Sequence, residues 1–353
     1  MIIEETEFSA IDSEHSRQSA SFPAGQSEHQ AVRLSLVPPI RRARGYRLYT
    51  ADNRRLLDLW QYGGRALLGH NPPGVLRELK NTAERGLFAP LPSHLEGRFL
   101  KALAQLFPGC SFRLFSTEAS LRRALTAAGF ADAPFPDPAL STGEALFSSE
   151  APPLWRPFLA DPAPAAAIAQ TAALSIPAAA STQTASAALR LSPVPAAPLF
   201  IPALPLPWTG APWVLALNGA EFGSTANANG LAERLLTGEI LSQGDILSPV
   251  VLAAAARCVY DLIATPAPAP FPKIKRALTG GNSAGERIWQ RRGIYLFLRE
   301  NPGDDRYTVI FRRFLDAGFL LPPSPQEALI LPALMSAGEE AKLASLLQGP
   351  LPG

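Results

Sequence analysis

We predict an α/β protein from three features of the amino-acid sequence. Two extended runs flank the turn residues 51–53, which is the pattern of a β-hairpin. Two stretches with apolar residues at helical spacing follow, one after Pro72-Pro73 and one after Ser93. Residues 111–128 then have the pattern of a strand, a polar turn and a helix. Strands and helices that alternate along a chain are typical of a sheet covered by helices.

The hairpin strands are predicted at Gly45–Tyr49 and Arg55–Trp60. The first helix is predicted to end before Gly86, because glycine readily adopts the left-handed conformation found after a helix C-terminus. The apolar stripe of this helix consists of Leu76, Leu79 and Ala83.

Three serines predict further helix starts. Ser93 with Glu96, and Ser336 with Glu339, have the spacing of a capping box. Ser248-Pro249 predicts a capping serine followed by proline at the first helical position.

Ser116 and Thr117 lie in the turn between the predicted strand Ser111–Phe115 and the predicted helix Leu121–Ala128. A helix N-terminus presents unpaired backbone N–H groups, and phosphates bind at such places. The same hydroxyl groups are equally suited to cap the helix. We therefore keep two interpretations for Ser116 and Thr117, helix capping and phosphate binding.

Charge limits the classes of partner. The 353 residues include 32 Lys plus Arg and 30 Asp plus Glu, so the net charge of +2 gives no general field for nucleic acid or anionic lipid. An early cluster of arginines is interpreted as a solvated face; its members are Arg41, Arg42, Arg44, Arg47, Arg54 and Arg55. We expect no nucleic-acid partner.

The cysteines and the N-terminus predict a cytoplasmic protein without a metal site. Cys110 and Cys258 are the only cysteines, and their spacing gives neither a disulfide framework nor a zinc cluster. The acidic start Met1–Glu7 differs from a secretory signal. The uncharged interval between Asp161 and Arg190 has a membrane span as its alternative interpretation, but its prolines and its Ala, Ser and Thr bias provide little transfer energy.

Several blocks resemble the class III pyridoxal-phosphate-dependent aminotransferases, the family that includes glutamate-1-semialdehyde 2,1-aminomutase. They occur in the order of that family and at comparable spacing. The early blocks are Gly45–Tyr49, Asp58–Trp60, Leu68–Pro72 and Phe115–Ala119, and the late blocks are Ser248–Ala255 and Gly318–Ser324.

The resemblance implies the type I fold of pyridoxal-phosphate-dependent transferases, with a mixed, largely parallel sheet, flanking helices and a smaller C-terminal α+β domain. The polar residues 1–32 predict a mobile arm. Residues 33–110 would form the N-terminal segment of the small domain and linking helices, residues 111–265 the large domain, and residues 266–353 the C-terminal small domain. Residues 130–212 are rich in Ala and Pro, and we expect them to be truncated or irregular.

The resemblance also implies pyridoxal phosphate as cofactor, held by a lysine as a Schiff base. No lysine occurs between Lys101 and Lys273, where the family has it. Lys275 precedes a Gly-Gly pair as the family lysine does, but it follows the Ser248–Ala255 block instead of preceding it. Lys275 is therefore a weak candidate, and a solvated surface lysine is its alternative interpretation.

Other cofactor contacts are reduced as well. Ser116-Thr117 lacks the glycine of the family's phosphate turn. No carboxylate partner for the cofactor can be assigned, because the acidic residues of this region lie outside apolar strand runs; they are Glu221, Glu233, Glu239 and Asp245. We expect no catalytic residue, Ser116 and Thr117 as the remaining cofactor contacts, and no covalent attachment of the cofactor.

These losses favour a non-catalytic homologue that dimerises with itself or with an active paralogue and acts as a regulatory subunit. The alternative is a divergent transaminase or aminomutase that uses Lys275 or Lys273. A third interpretation is a decaying gene product without a selected activity.

Overall fold

The computed structural model describes residues 28–135, 137, 151–159, 191–195, 197–219, 244–279 and 288–349. The helices within these residues are α1 (Glu28–Ser35), α2 (Pro73–Ala83), α3 (His94–Leu106), α4 (Glu118–Ala127), α5 (Pro249–Ala264), α6 (Pro272–Thr279), α7 (Asp304–Asp316) and α8 (Ala337–Gln348). The strands are β1 (Ile40–Arg44), β2 (Arg47–Thr50), β3 (Arg55–Asp58), β4 (Cys110–Phe115), β5 (Leu154–Trp155), β6 (Leu199–Pro202), β7 (Trp213–Asn218), β8 (Trp289–Arg292), β9 (Tyr295–Leu298), β10 (Phe319–Leu320) and β11 (Leu329–Ile330).

The predicted hairpin is confirmed, and it joins both ends of the described chain. Strands β2 and β3 pair antiparallel around a turn in which Asn53 has a φ of 63°. Strand β10 adds to β3 in parallel, so the sheet order is β1-β2-β3-β10. The N-terminal hairpin and the block that begins at Gly318 therefore lie in one sheet.

Helices α2, α3 and α5 form the main helical layer. Helix α5 packs on both α2 and α3, and its residues Ala253–Ala256 are fully buried. Alanine allows helices to approach closely, so this face fits between its two neighbours. Helix α3 confirms its predicted apolar periodicity, since Phe99 is buried. The predicted stripe of α2 is wrong in its detail, because Leu76 is exposed, Leu79 and Ala83 are only half-buried, and Val75 is the large apolar residue that this helix buries.

Two helix starts differ in detail from the prediction. Ser93 caps α3, but its Oγ accepts from the backbone N of Leu95, and the predicted reciprocal bond with Glu96 is not formed. The side chain of Ser248 forms no capping bond, and α5 begins simply with Pro249 at its first position. Proline needs no partner for a backbone N–H, so a cap is less necessary there.

The second sheet has the order β4-β7-β6-β5. We expected a largely parallel sheet, but among the described strands β7 pairs antiparallel with both β4 and β6, and the two-residue strand β5 pairs parallel with β6. For β6 and β7 the reason is the short connection 203–212, because a parallel pair needs a longer crossover. Helix α4 covers this sheet through Leu121 and Leu125.

The expectation that residues 130–212 are irregular is wrong for part of this stretch. Strand β6 is buried along its whole length and pairs with β7 from inside the sheet. Its sequence is a short apolar run between prolines, which periodicity alone does not identify as a strand. Residues 138–150 and 160–190 lie outside the described residues, so the expectation remains a prediction there.

The C-terminal part contains the sheet β11-β9-β8 and helices α6 to α8. The predicted capping box of Ser336 and Glu339 is confirmed at the start of α8. Glu339 also binds the guanidinium of Arg47 on β2, with 2.7 Å between Arg47 Nη2 and Glu339 Oε2. This pair connects α8 to the N-terminal hairpin.

The predicted arm 1–32 is too long by its last residues, because α1 begins at Glu28 and docks on α7. Arg33 is fully buried there; its guanidinium donates to Thr308 Oγ1, to the carbonyls of Asp304 and Pro323, and to Asp304 Oδ1. A buried arginine with this many acceptors fixes the helix to the body of the protein. Residues 1–27 lie outside the described residues.

The domain boundaries remain a prediction. None of the helices in the described residues combines the length and the hydrophobicity that a bilayer span requires.

Candidate functional site

The turn after β4 is built as the sequence predicts. Strand β4 pairs along its length with β7 and ends at Phe115, and α4 begins at Glu118. Thr117 Oγ1 accepts from the backbone N of Ser120, and the Ser120 side chain accepts from the backbone N of Thr117. The side chain of Thr117 is therefore engaged as the cap of α4.

Asp245 lies against this turn, and its carboxylate accepts hydrogen bonds from three donors of Ser116 and Ser120. The backbone N of Ser116 is 2.7 Å from Asp245 Oδ2, Ser116 Oγ is 2.6 Å from it, and Ser120 Oγ is 2.7 Å from it. A carboxylate is an anion, so Asp245 holds the position at the start of a helix where an external anion would bind.

Gly244 allows Asp245 to reach this position. Its φ of +98° is unfavourable for any other residue, and a Cβ at residue 244 would overlap the carbonyl oxygen of Leu114. The backbone N of Asp245 donates to that carbonyl at 2.7 Å. The close approach of residue 244 to β4 thus places the carboxylate over the first turn of α4.

The electrostatics agree with this geometry. Burial alone would raise the pKa of Asp245, but hydrogen bonds from Ser116 and Ser120 and the charge of Arg123 outweigh it, so the pKa is lowered from its ordinary value. The carboxylate is thus held in its charged form. Ser116 and Thr117 remain predicted cofactor contacts, but their hydroxyls are bonded within the chain.

Every lysine of the chain is exposed on the surface of a helix. The sequence contains Lys80, Lys101, Lys273, Lys275 and Lys342, and all five are described. Lys273 Nζ donates to the carbonyl of Ala337 at 2.9 Å, and Lys275 lies on the same helix, α6. Helix α6 packs on α8 and β8, whereas α4 packs on β4 and β7. The candidate lysines and the Ser116 turn therefore belong to different layers.

A second cluster of polar residues lies at the end of β3. His70 Nε2 is 2.7 Å from Asp58 Oδ2, a distance at which the ring N–H donates to the carboxylate. Asp58 Oδ1 also accepts from the backbone N of Trp60 and of Gln61. The buried carboxylate therefore fixes both the turn after β3 and the imidazole ring.

The same region explains the spacing of two early sequence blocks. Gly69 has a φ of +87°, and a Cβ there would press against the backbone of Gly45 at 3.2 Å. The backbone N of His70 donates to the carbonyl of Gly45. Glycine at position 69 therefore allows Gly45 and Leu68–Pro72 to pack against each other. A larger residue there would separate the two segments.

A cavity of about 560 Å³ opens beside this cluster. It is lined by apolar residues from 34–40 and by polar side chains that include Asp58, Trp60, Tyr62 and His70. Trp60 Nε1 donates to Glu327 Oε2 at 2.7 Å. Burial raises the pKa of Glu327 and outweighs the hydrogen bond from Trp60, which lowers it. The cavity is thus a mostly apolar space with a few oriented polar groups, as is usual for small-molecule sites.

The turn Gln61–Gly64 separates this cavity from a smaller one of about 170 Å³. Four successive residues have positive φ values of 48°, 51°, 66° and 98°, and the first two are Gln61 and Tyr62. Such conformations are costly for residues other than glycine and concentrate at functional sites. The turn holds Tyr62 at both cavities and leads into Arg65, which lines the smaller one.

Sequence reasoning missed Asp245, the Asp58–His70 pair and Arg65. Gly244-Asp245 was an available signal, since a Gly-Asp pair often marks a tight turn. The partner of Asp245 lies 129 positions away, and no local pattern reveals such a contact.

Comparisons with known proteins agree with the resemblance. No protein-family profile matches the chain. An uncharacterized protein of Treponema pallidum is 27% identical over 320 residues, which cover 87% of this chain and 92% of that protein. A glutamate-1-semialdehyde 2,1-aminomutase of Sorangium cellulosum is 36% identical over 120 residues, covering 32% of this chain and only 28% of its own length.

A solved structure of a glutamate-1-semialdehyde aminomutase from Pseudomonas aeruginosa superimposes with a TM-score of 0.53. It is 15% identical, and the match covers 88% of this chain and 86% of that protein. At this identity the likeness shows the fold, and it confirms the predicted fold class.

Proposed function

We propose that this chain, which has the fold of the class III pyridoxal-phosphate-dependent aminotransferases, is a non-catalytic homologue that acts as a binding or regulatory subunit. The observation that carries the proposal is the exposure of all five lysines. The chemistry of that fold needs a lysine that attacks the aldehyde of the cofactor from within an enclosed pocket.

The exposed positions matter because an enclosed site is what activates a lysine as a nucleophile. Desolvation or a nearby cation favours the neutral amine, and exclusion of water protects the product of its attack. Lys273 and Lys275 are exposed on the solvent side of α6, so their amines are neither desolvated nor shielded from water. This placement also disfavours the alternative of a divergent transaminase that uses one of these two lysines.

The Ser116 turn gives independent support. The resemblance implies that this turn holds the phosphate of the cofactor, yet its donors already bind the carboxylate of Asp245. Two anions at one helix start repel each other, so a phosphate there would have to displace Asp245. The described residues therefore do not fit covalently bound pyridoxal phosphate, and no catalytic step through it is derived.

The experiment is an absorbance scan of the purified chain with pyridoxal phosphate, followed by borohydride reduction and peptide mapping. We expect no aldimine band and only weak labelling spread over the five lysines. Stoichiometric labelling of Lys273 or Lys275 that disappears in the Lys273→Gln/Lys275→Gln variant would contradict the proposal. Lys80→Gln is the matched control, since Lys80 is equally exposed on another helix.

The proposed partner is a second copy of this chain or an active paralogue. Light scattering of the purified chain, alone and mixed with an active class III aminotransferase from the same cell, measures both assemblies. A monomer that changes neither its mass nor the activity of the enzyme would contradict the regulatory role.

A further inference from the structure

The guanidinium of Arg65 is half-buried and has no polar partner among the described residues. This guanidinium lies 5.1 Å from the ring centre of Trp213 and 5.7 Å from that of Tyr62. These two contacts are cation–π interactions with aromatic rings. The backbone N of Arg65 donates to the carbonyl of Tyr62, but its guanidinium forms no hydrogen bond or ion pair with any described residue. An arginine has five N–H donors, and most buried polar groups find an acceptor.

The carboxylates near Arg65 are already paired elsewhere. Glu118 is close enough to influence the charge of Arg65, but it binds Arg122, with 2.8 Å between Glu118 Oε1 and Arg122 Nη2. The second guanidinium at this cavity, that of Arg156, binds Asp137 with 2.5 Å between Arg156 Nη2 and Asp137 Oδ2. Within the described residues, no carboxylate therefore pairs directly with Arg65.

The cavity next to Arg65 has the size and lining for a small ligand. Its volume of about 170 Å³ equals the space of about six water molecules, or about six non-hydrogen atoms. Apart from the two arginines, its walls are aromatic or aliphatic, with Tyr62, Trp213, Leu154, Ile201 and Leu206 among them. A ligand that fits would carry one compact negative group and a short apolar body.

We propose that Arg65 binds the carboxylate of a small organic acid in this cavity, with the apolar part of the acid between Tyr62 and the aliphatic wall. A guanidinium and a carboxylate match in a two-bond geometry, and the low polarity of the walls strengthens that interaction. Burial lowers the pKa of Arg65, and the nearby Tyr62 and the carboxylate of Glu118 only partly oppose this, so a bound anion would stabilise the charged guanidinium. The strained turn Gln61–Gly64, which leads directly into Arg65, holds the site in place. This site does not depend on whether the chain is catalytic.

The probe is isobutyrate, and its neutral isostere isobutyramide is the ligand control. Binding is followed by tryptophan fluorescence, since Trp213 lies against the guanidinium. We expect a saturable change with isobutyrate and none with isobutyramide. Arg65→Gln should weaken binding about tenfold or more, whereas Arg85→Gln, which removes an exposed arginine, should leave it unchanged.

Equal binding of the acid and the amide, equal binding by Arg65→Gln, or no saturable change in the unmodified chain would each overturn the proposal. If Arg65→Gln does not fold, the indole N–H resonance of Trp213 in the unmodified chain decides. It must shift with isobutyrate and stay in place with isobutyramide, and the opposite result overturns the proposal.

Discussion

Removal of the Asp245 carboxylate is the sharpest test of the Ser116 turn. The substitution Asp245→Ala deletes the acceptor for three donors, Ser116 N, Ser116 Oγ and Ser120 Oγ. A hydrogen bond to a charged group contributes about 1.5–3 kcal/mol when it is shielded. Ser116 is exposed, and water can replace part of this, so we expect a loss of about 2 kcal/mol in the free energy of unfolding.

The pH dependence identifies the cause of that loss. The pKa of Asp245 is lower in the folded chain than in the unfolded chain, so its contribution is complete above the unfolded pKa of about 3.9 and is lost as the pH falls through the folded pKa. The difference between the unmodified chain and Asp245→Ala should be constant from about pH 5 to 8 and shrink below about pH 4.

The assay is urea unfolding, with and without inorganic phosphate, at several pH values. Asp316→Ala is the control, because Asp316 is exposed and its side chain has no hydrogen bond in the described residues. We expect phosphate to stabilise Asp245→Ala specifically, since the donors of Ser116 and the first turn of α4 become free. A stability of Asp245→Ala equal to that of the control, or an equal response of all three proteins to phosphate, would refute the reasoning.

Two further predictions concern stability and are measured by urea unfolding. Gly244→Ala should lower the free energy of unfolding by about 2 kcal/mol or more, because residue 244 has a φ of +98° and a Cβ there would overlap the Leu114 carbonyl. Gly86 also has a left-handed conformation but has open space around it, so Gly86→Ala should cost only about 1 kcal/mol. Equal losses would contradict the close approach. Arg33→Met should lower the free energy of unfolding by about 3 kcal/mol, because the fully buried guanidinium donates to acceptors on α7 and to Pro323 O. A loss below about 1 kcal/mol would show that this residue does not fix α1 to the body of the protein.

Much of the fold, and the absence of a catalytic lysine from the expected region, could be predicted from local patterns in the sequence. The hairpin at 45–60, the stripe of α3 and the cap at Ser336 each depend on residues a few positions apart, where turn chemistry and helical periodicity act directly. The absence of a lysine between Lys101 and Lys273 is likewise a property of the sequence alone. These signals were sufficient for the resemblance and for the expectation of a missing Schiff base.

Only the tertiary structure decided which distant groups meet. Asp245 had no local role in the sequence, and it becomes the anion of the α4 start because Gly244 can lie against Leu114. Arg65 was one arginine among many in the sequence, and the fold places it against Tyr62 and Trp213 with no paired carboxylate among the described residues. Hydrogen bonds and charges act over a few ångströms in space regardless of separation along the chain, whereas sequence patterns report mainly on neighbours along the chain.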